Sequence, residues 1–223
     1  AGPMLTGRWR GTTIGSGTDV SRGYVELQAG RITRAQYKDM ESAGARSPGH
    51  CMTMGTASTM TSIAETLGMT LPGAASIPAP DSRHRHLAAA TGRRIVEMVM
   101  ADLKPRDILS PASFHNAITA LMALGGSTNA VVHLLALADR AGVPLALEAF
   151  DRISETVPVL ADIKPSGRFL MEDFYYGGGL RGLLERIRDR LELDAPTRNG
   201  HSPGQNIERA EILAAEGIRP PGR

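Results

Sequence analysis

Apolar residues recur at helical spacing along much of the chain, and glycines and prolines mark where the runs stop. Met60, Ile63, Ala64 and Leu67 fall three and four apart, with Gly68 placed to end them. Leu87, Ala88, Thr91, Ile95, Met98 and Val99 make one face of a helix that Asp81 or Ser82 can cap and that Pro105 closes. Ser110 followed by Pro111 reads as a helix start, with Phe114, Ile118, Leu121 and Met122 as the inner stripe and Gly125 as the stop. Ser127 opens the next helix. Its apolar set of Ala130, Val131, Leu134, Leu135, Leu137, Ala138 and Ala141 is wide enough to predict burial on most sides before Gly142. The last clear stripe is Leu180, Leu183, Leu184, Ile187 and Leu191, with a basic outer face.

Weaker patterns predict helices near residues 24–27, 33–43, 147–156 and 206–215, and extended pieces at 143–145 and 157–163. The stretches GTTIGSGTD (11–19) and PGAASIPAPDS (72–82) have loop chemistry. The pattern predicts an α/β chain, predominantly helical layers around a small sheet, forming one partial domain over 1–223.

Composition narrows the partners. With 42% hydrophobic and 22% charged residues, a packed core is expected rather than disorder. A net charge of +2 gives no reason to expect nucleic acid or an anionic membrane as partner. No apolar run reaches membrane-spanning length. One cysteine cannot form an internal disulfide, and a cytoplasmic location is expected. The chain starts without Met and stops in GIRPPGR, so both ends read as cuts through a longer polypeptide.

The candidate chemistry centres on SPGHCMTMGTASTMTSIAETLG (47–68). Cys51 follows Pro48 and Gly49 and precedes a Ser/Thr-rich helix. Gly49 lets backbone approach closely, and a helix N-terminus favours the thiolate form of a nearby cysteine. Thr53, Thr56 and Thr59 add hydroxyls. Spacing alone leaves Cys51 open to three readings: an inert half-buried thiol, a covalent nucleophile or a metal ligand. No CxxC or Cys–His spacing accompanies it, so a complete metal site within the chain is not expected. GGSTN (125–129) is either a Gly stop followed by a Ser/Thr cap, or a helix start that holds a carboxylate or phosphate, with His133 one turn further on. GSGTD (15–19) lacks the GK[ST] ending of a phosphate loop, which argues against nucleotide binding. Glu172 and Asp173 lie ahead of a helix, where acids serve either as metal ligands or as ordinary helix stabilisers.

SPGHCMTMGTASTM resembles the third cluster-cysteine motif of the dihydroxy-acid and sugar-acid dehydratase family. The resemblance continues through LGMTLPGAASIPA, LMALGGSTNAVVHLLALA, FDRISETVPVLADIKPSGRFLMEDFYYGGGL and NIERAEIL with GIRPP. The GTASTM wording is similar to the aldonate branch. The resemblance implies a hydro-lyase that converts an aldonic or 2,3-dihydroxy acid to a 2-keto-3-deoxy acid. It implies an iron–sulfur cluster on three cysteines, of the 2Fe–2S rather than the 4Fe–4S type, together with Mg2+, a serine base and a homo-oligomer. Cys51 matches the third cluster ligand. Thr53, Thr56, Ser127, Thr128 and Asn129 are then candidates to touch cluster sulfur or substrate oxygens. Two cluster cysteines, the Cys-Asp-Lys motif with its magnesium ligands and the segment of the catalytic serine are missing from these 223 residues. No catalytic residue is therefore expected within this piece, and the piece alone is expected to be inactive. The alternatives are a dihydroxy-acid dehydratase of branched-chain amino-acid synthesis, or a non-catalytic helical module of the same ancestry.

Overall fold

A computed structural model describes residues 2–208 and Ile218. The chain opens with an antiparallel hairpin, β1 (Gly7–Trp9) and β2 (Thr12–Ile14), in which Gly7 faces Ile14 and Trp9 faces Thr12. Helices follow: α1 (Ser16–Gln28), α2 (Arg34–Gly44), α3 (Thr56–Thr66), α4 (Ser82–Met100), α5 (Pro105–Ile108), α6 (Pro111–Leu124) and α7 (Asn129–Ala141). The remaining helices are α8 (Glu148–Ser154), α9 (Met171–Tyr176), α10 (Gly179–Arg186) and α11 (Pro203–Ile207). The helix-dominated α/β class read from the pattern is borne out. Among the described residues the hairpin is the one sheet.

The hairpin and α1 occupy residues 11–19, where the sequence predicted a loop. The polar residues there start a helix. Asp19 accepts hydrogen bonds from the Gly15 amide at 2.7 Å and from the Lys164 ammonium at 2.9 Å. Burial pushes the Asp19 carboxyl up, but the Lys164 ammonium and the Gly15 amide together hold it below the usual carboxylate range.

The helix α6 is the centre of the molecule. Ser110 caps it reciprocally with Ser113, and Gly125 ends it, as the sequence predicted. Its sequence, PASFHNAITALMAL, is small or apolar on nearly every side, and a helix of that kind is buried all round. Phe114, Ala117, Ile118 and Leu121 pack with Ile63 of α3 and Leu67 just after it, Ala130, Leu134 and Ala138 of α7, and Phe150 of α8. Ala120, Ala123 and Leu124 pack on the other side with Leu160, Ile163, Met171, Phe174 and the stripe of α10. The buried Asn116 amide clamps the backbone of Glu192, accepting from its N–H at 2.7 Å and donating to its carbonyl at 2.9 Å.

Several expectations change. Among the described residues, 157–163 form no strand, only isolated bridges from Ala161 to Ile218 and from Ile163 to Phe169. The amides of Leu160 and Ala161 both donate to the carbonyl of Ala123, so this stretch caps the end of α6 instead of pairing in a sheet. Residues 143–145 likewise join no ladder among the described residues. The helix α7 buries only the seam of Ala130, Leu134 and Ala138, which are four residues apart, while Val132 is 66% exposed. On α4 the predicted inner stripe is largely open: Met98 is buried, but Ile95 is 44% and Val99 71% exposed, next to Val96 and Met100. Asp81 does cap α4, and Pro105 starts α5 rather than ending α4. The helix predicted over 206–215 begins earlier, as α11, and residues 209–215 lie outside the described residues. Among the described residues no helix is long and apolar enough to cross a membrane.

Candidate functional site around Cys51

The loop that carries Cys51 is pinned on both sides by backbone bonds. On one side, the His50 amide donates to Gly2 and the Met4 amide donates to His50, both within 3.0 Å. This approach requires Gly49: at its φ of +136°, a Cβ would fall 2.6 Å from the Met4 nitrogen. On the other side, the Met171 amide donates to the Met52 carbonyl at 2.8 Å, and the Met54 amide donates to the Lys164 carbonyl at 2.8 Å. Met52 and Met54 are buried in the core beneath the loop, while Cys51 between His50 and Met52 is only half-buried. The sequence thus buries the two methionines that follow Cys51 and leaves the sulfur itself partly accessible.

Cys51 does not sit at the helix end itself. The helix α3 starts at Thr56 behind its N-cap, Gly55. The sulfur is held instead by the Thr53 hydroxyl, at 3.0 Å from Sγ to Oγ1. The Nδ1 atom of His50 lies 2.9 Å from the Cys51 carbonyl, and Nε2 of the same ring is buried with no hydrogen-bond partner among the described residues. Burial holds His50 below the ordinary histidine range, against the hydrogen bond to the Cys51 carbonyl.

The two motifs singled out in the sequence meet in space. Thr56 Oγ1 lies 3.0 Å from Ser127 Oγ and accepts from Asn129 Nδ2 at 2.8 Å. Thr59, fully buried one turn along α3, accepts the Ser127 amide at 3.0 Å. Thr59 is therefore the residue that docks GGSTN onto α3, a role that hydroxyl content alone did not separate from its neighbours. Ser58, Ser62 and Thr66 direct their buried hydroxyls to main-chain carbonyls of the loop and of α3 itself. Thr128 stands apart: it is exposed and makes no side-chain cap bond. His133 is exposed on α7. The two acids of α9 act as stabilisers, Glu172 accepting the Thr6 amide and Asp173 the Leu170 amide. Among the described residues no three His, Cys, Asp or Glu side chains gather as a metal site.

Thr56→Val should cost about 1–2 kcal/mol, because two neighbouring polar groups lose their partner. Urea unfolding checks this, with Thr128→Val expected to stay within about 0.5 kcal/mol of the parent.

Residues 1–206 match the family described as dihydroxy-acid/6-phosphogluconate dehydratase N-terminal. The chain is 49% identical over 209 residues to L-arabinonate dehydratase of Rhizobium leguminosarum bv. trifolii, covering 93% of this chain and 36% of that protein. It is 44% identical over 202 residues to 6-deoxy-6-sulfo-D-gluconate dehydratase of Pseudomonas putida, covering 91% and 35%. It is 41% identical over 219 residues to dihydroxy-acid dehydratase of Thermodesulfovibrio yellowstonii, covering 98% and 40%. The chain spans no more than 40% of the length of these relatives. With residues 1–206 matching the model of that N-terminal region, the chain belongs to the dihydroxy-acid/6-phosphogluconate dehydratase family.

Proposed function

We propose that the protein carrying this domain is a hydro-lyase that dehydrates an aldonic acid to a 2-keto-3-deoxy acid, with Cys51 as one thiolate ligand of an iron–sulfur cluster. The observation that carries the reading is the pinned loop: a single half-buried sulfur, just ahead of the two buried methionines Met52 and Met54 and bonded to the Thr53 hydroxyl. The donor set fits one cluster ligand, with the others outside these residues, since Cys51 is the one cysteine in the sequence. It does not fit a magnesium site, because no acidic cluster forms among the described residues; those ligands belong to the reading only as groups elsewhere in the protein. When bound, the cluster would supply a Lewis-acidic iron to the departing hydroxyl.

The chain's own residues do the positioning. The Thr53 hydroxyl fixes the direction of the sulfur and, as donor, stabilises its charged form. Thr56, Ser127 and Asn129 form a connected group of hydroxyl and amide atoms at the start of α3 and α7, chemistry that matches the hydroxyls of a sugar acid. The reading includes a cytoplasmic homo-oligomer. One cysteine in 223 residues suits a reducing compartment, and the open apolar face of α4 supports a covering subunit or domain.

The aldonate preference is supported by GTASTM and by two relatives named for sugar acids. The second reading, a dihydroxy-acid dehydratase, is supported by the 41% identical relative of that name. Keto-acid formation by the full-length protein separates them. We expect kcat/KM on pentonates or hexonates to exceed that on 2,3-dihydroxyisovalerate by about tenfold or more, a difference of about 1.4 kcal/mol in transition-state binding. The reverse preference would assign the protein to the branched-chain amino-acid branch.

A further inference from the structure

A cavity of about 230 Å³ opens where the 72–77 loop meets the start of α4 and the α9–α10 junction, and no residue of 47–59 or 125–129 lines it. Two guanidinium groups, Arg83 and Arg181, share its lining with Ser76, Tyr175, Gly178 and Gly179, and no Asp or Glu does. The walls are tightly built. Gly179, at φ +59°, comes so close to the loop that a Cβ would sit 2.6 Å from Ser76 Oγ. Ser76 Oγ accepts the Leu180 amide at 3.1 Å and locks the first turn of α10 against the loop. Gly179 and Arg181 lie in that same first turn, where helix amides point out of the N-terminus, and no side chain caps it. From below, the Glu65 carboxylate holds the loop by accepting the Gly73 amide at 2.6 Å and the Ala75 amide at 2.8 Å.

Neither arginine is fully used by the described residues. Arg181 is half-buried and hydrogen-bonds to none of the described residues. Its guanidinium lies about 3.8 Å from where a Cβ would stand on Gly73. The carboxylate it feels is Glu65, whose oxygens are already committed to two amides. Arg83 keeps Nε 3.6 Å from Asp81 and places its guanidinium 5.3 Å from the Tyr175 ring centroid. Two guanidiniums share the lining of one small cavity that no Asp or Glu lines, with Asp81 3.6 Å from Arg83 and Glu65 committed to the loop, and an anion with several oxygens would engage both along with the helix N-terminus. A dianion balances the two charges better than a single carboxylate.

We propose that this cavity is a phosphate-group site, distinct from the Cys51 region, that takes free phosphate or the phosphate of a small ester. The test is titration calorimetry of the full-length protein with inorganic phosphate at ionic strength held constant with sodium chloride. Saturable binding of about one phosphate per chain is expected. Arg83→Gln and Arg181→Gln should each weaken it by about tenfold or more, and Arg140→Gln, exposed on α7, should leave it unchanged. Arg83 is a 54% exposed side chain, so Arg83→Gln keeps the test decisive if the Arg181 variant does not fold, with far-UV circular dichroism confirming the fold of each. A parallel titration with methyl phosphate separates the two sources. Binding of both ligands supports an ester site, and binding of inorganic phosphate alone supports a site for the free anion. Absence of saturable phosphate binding, or undiminished binding in a folded Arg83→Gln variant, overturns the proposal.

Discussion

Cys51→Ser in the full-length protein is expected to leave the fold standing while removing most of the bound iron and lowering dehydration by about a thousandfold, the scale of losing a preorganised catalytic group. The two halves of this expectation come from different features. Serine is nearly the same size, and Cys51 is half-buried outside both hydrophobic clusters, so unfolding free energy should change by no more than about 1 kcal/mol. As a ligand, however, serine replaces a soft thiolate by a hard, weakly acidic hydroxyl that iron–sulfur clusters hold poorly. Iron content by metal analysis and keto-acid formation are the measurements. Normal iron and turnover in a folded Cys51→Ser variant would refute the assignment of Cys51 as a ligand.

The rival in which Cys51 is a covalent nucleophile also predicts lost turnover, so turnover alone does not decide. Alkylation does. A ligand sulfur is shielded from iodoacetamide when the protein carries iron and reacts once the iron is removed, whereas a nucleophile reacts either way. The sulfur is half-buried and its hydroxyl partner is a single threonine, so the reagent has access in the iron-free protein.

The sequence carried more of the site than of the fold around it. Gly49, Cys51 and the Thr-rich start of α3 were visible because each needs a particular residue type: a glycine where backbones touch, a lone sulfur, a run of hydroxyls. The meeting of Thr56 with Ser127 and Asn129 was not visible, since 71 and 73 residues separate the partners and only the packing of α3 and α7 on α6 brings them together. On α6 the pattern predicts an inner stripe of Phe114, Ile118, Leu121 and Met122, and Asn116 and Thr119 lie outside it. In the fold both are buried, and Asn116 spends its amide on the Glu192 backbone. On α4 the stripe itself was legible, but periodicity reports which side is apolar and not what lies against it. Residues 157–163 misled for a related reason. Buried residues in irregular backbone show the same apolar density as a strand when their amides are satisfied by a helix end.

Phe174→Ala should be the most destabilising of these substitutions, because its side chain lies where the core and the Cys51 loop share a support. Phe174 is 0% exposed on α9 and sits in one cluster with Met54, Leu160, Ile163, Met171, Leu180 and Leu183. Truncation of a fully buried phenylalanine typically costs about 3–5 kcal/mol, from lost transfer energy and the cavity left behind. Against domain stabilities of about 5–15 kcal/mol, that is a large fraction of the whole. The effect should also reach the sulfur. Met54 leaves the Cys51 loop to enter this cluster, and Met171, three residues before Phe174, holds the loop through its amide on Met52. A cavity at 174 loosens both anchors at once, so iron-free protein should show faster alkylation of Cys51 at urea concentrations well below the unfolding midpoint. Tyr176→Ala serves as the contrast: its ring is 41% exposed two residues along the same helix, and the change should cost well under half as much. Urea midpoints at unchanged slope measure the first effect, and the rate of thiol modification measures the second. A Phe174→Ala midpoint within about 1 kcal/mol of the parent would mean that this cluster does not hold the domain together. A normal stability loss with unaltered Cys51 reactivity would mean that the loop is held by its backbone bonds alone.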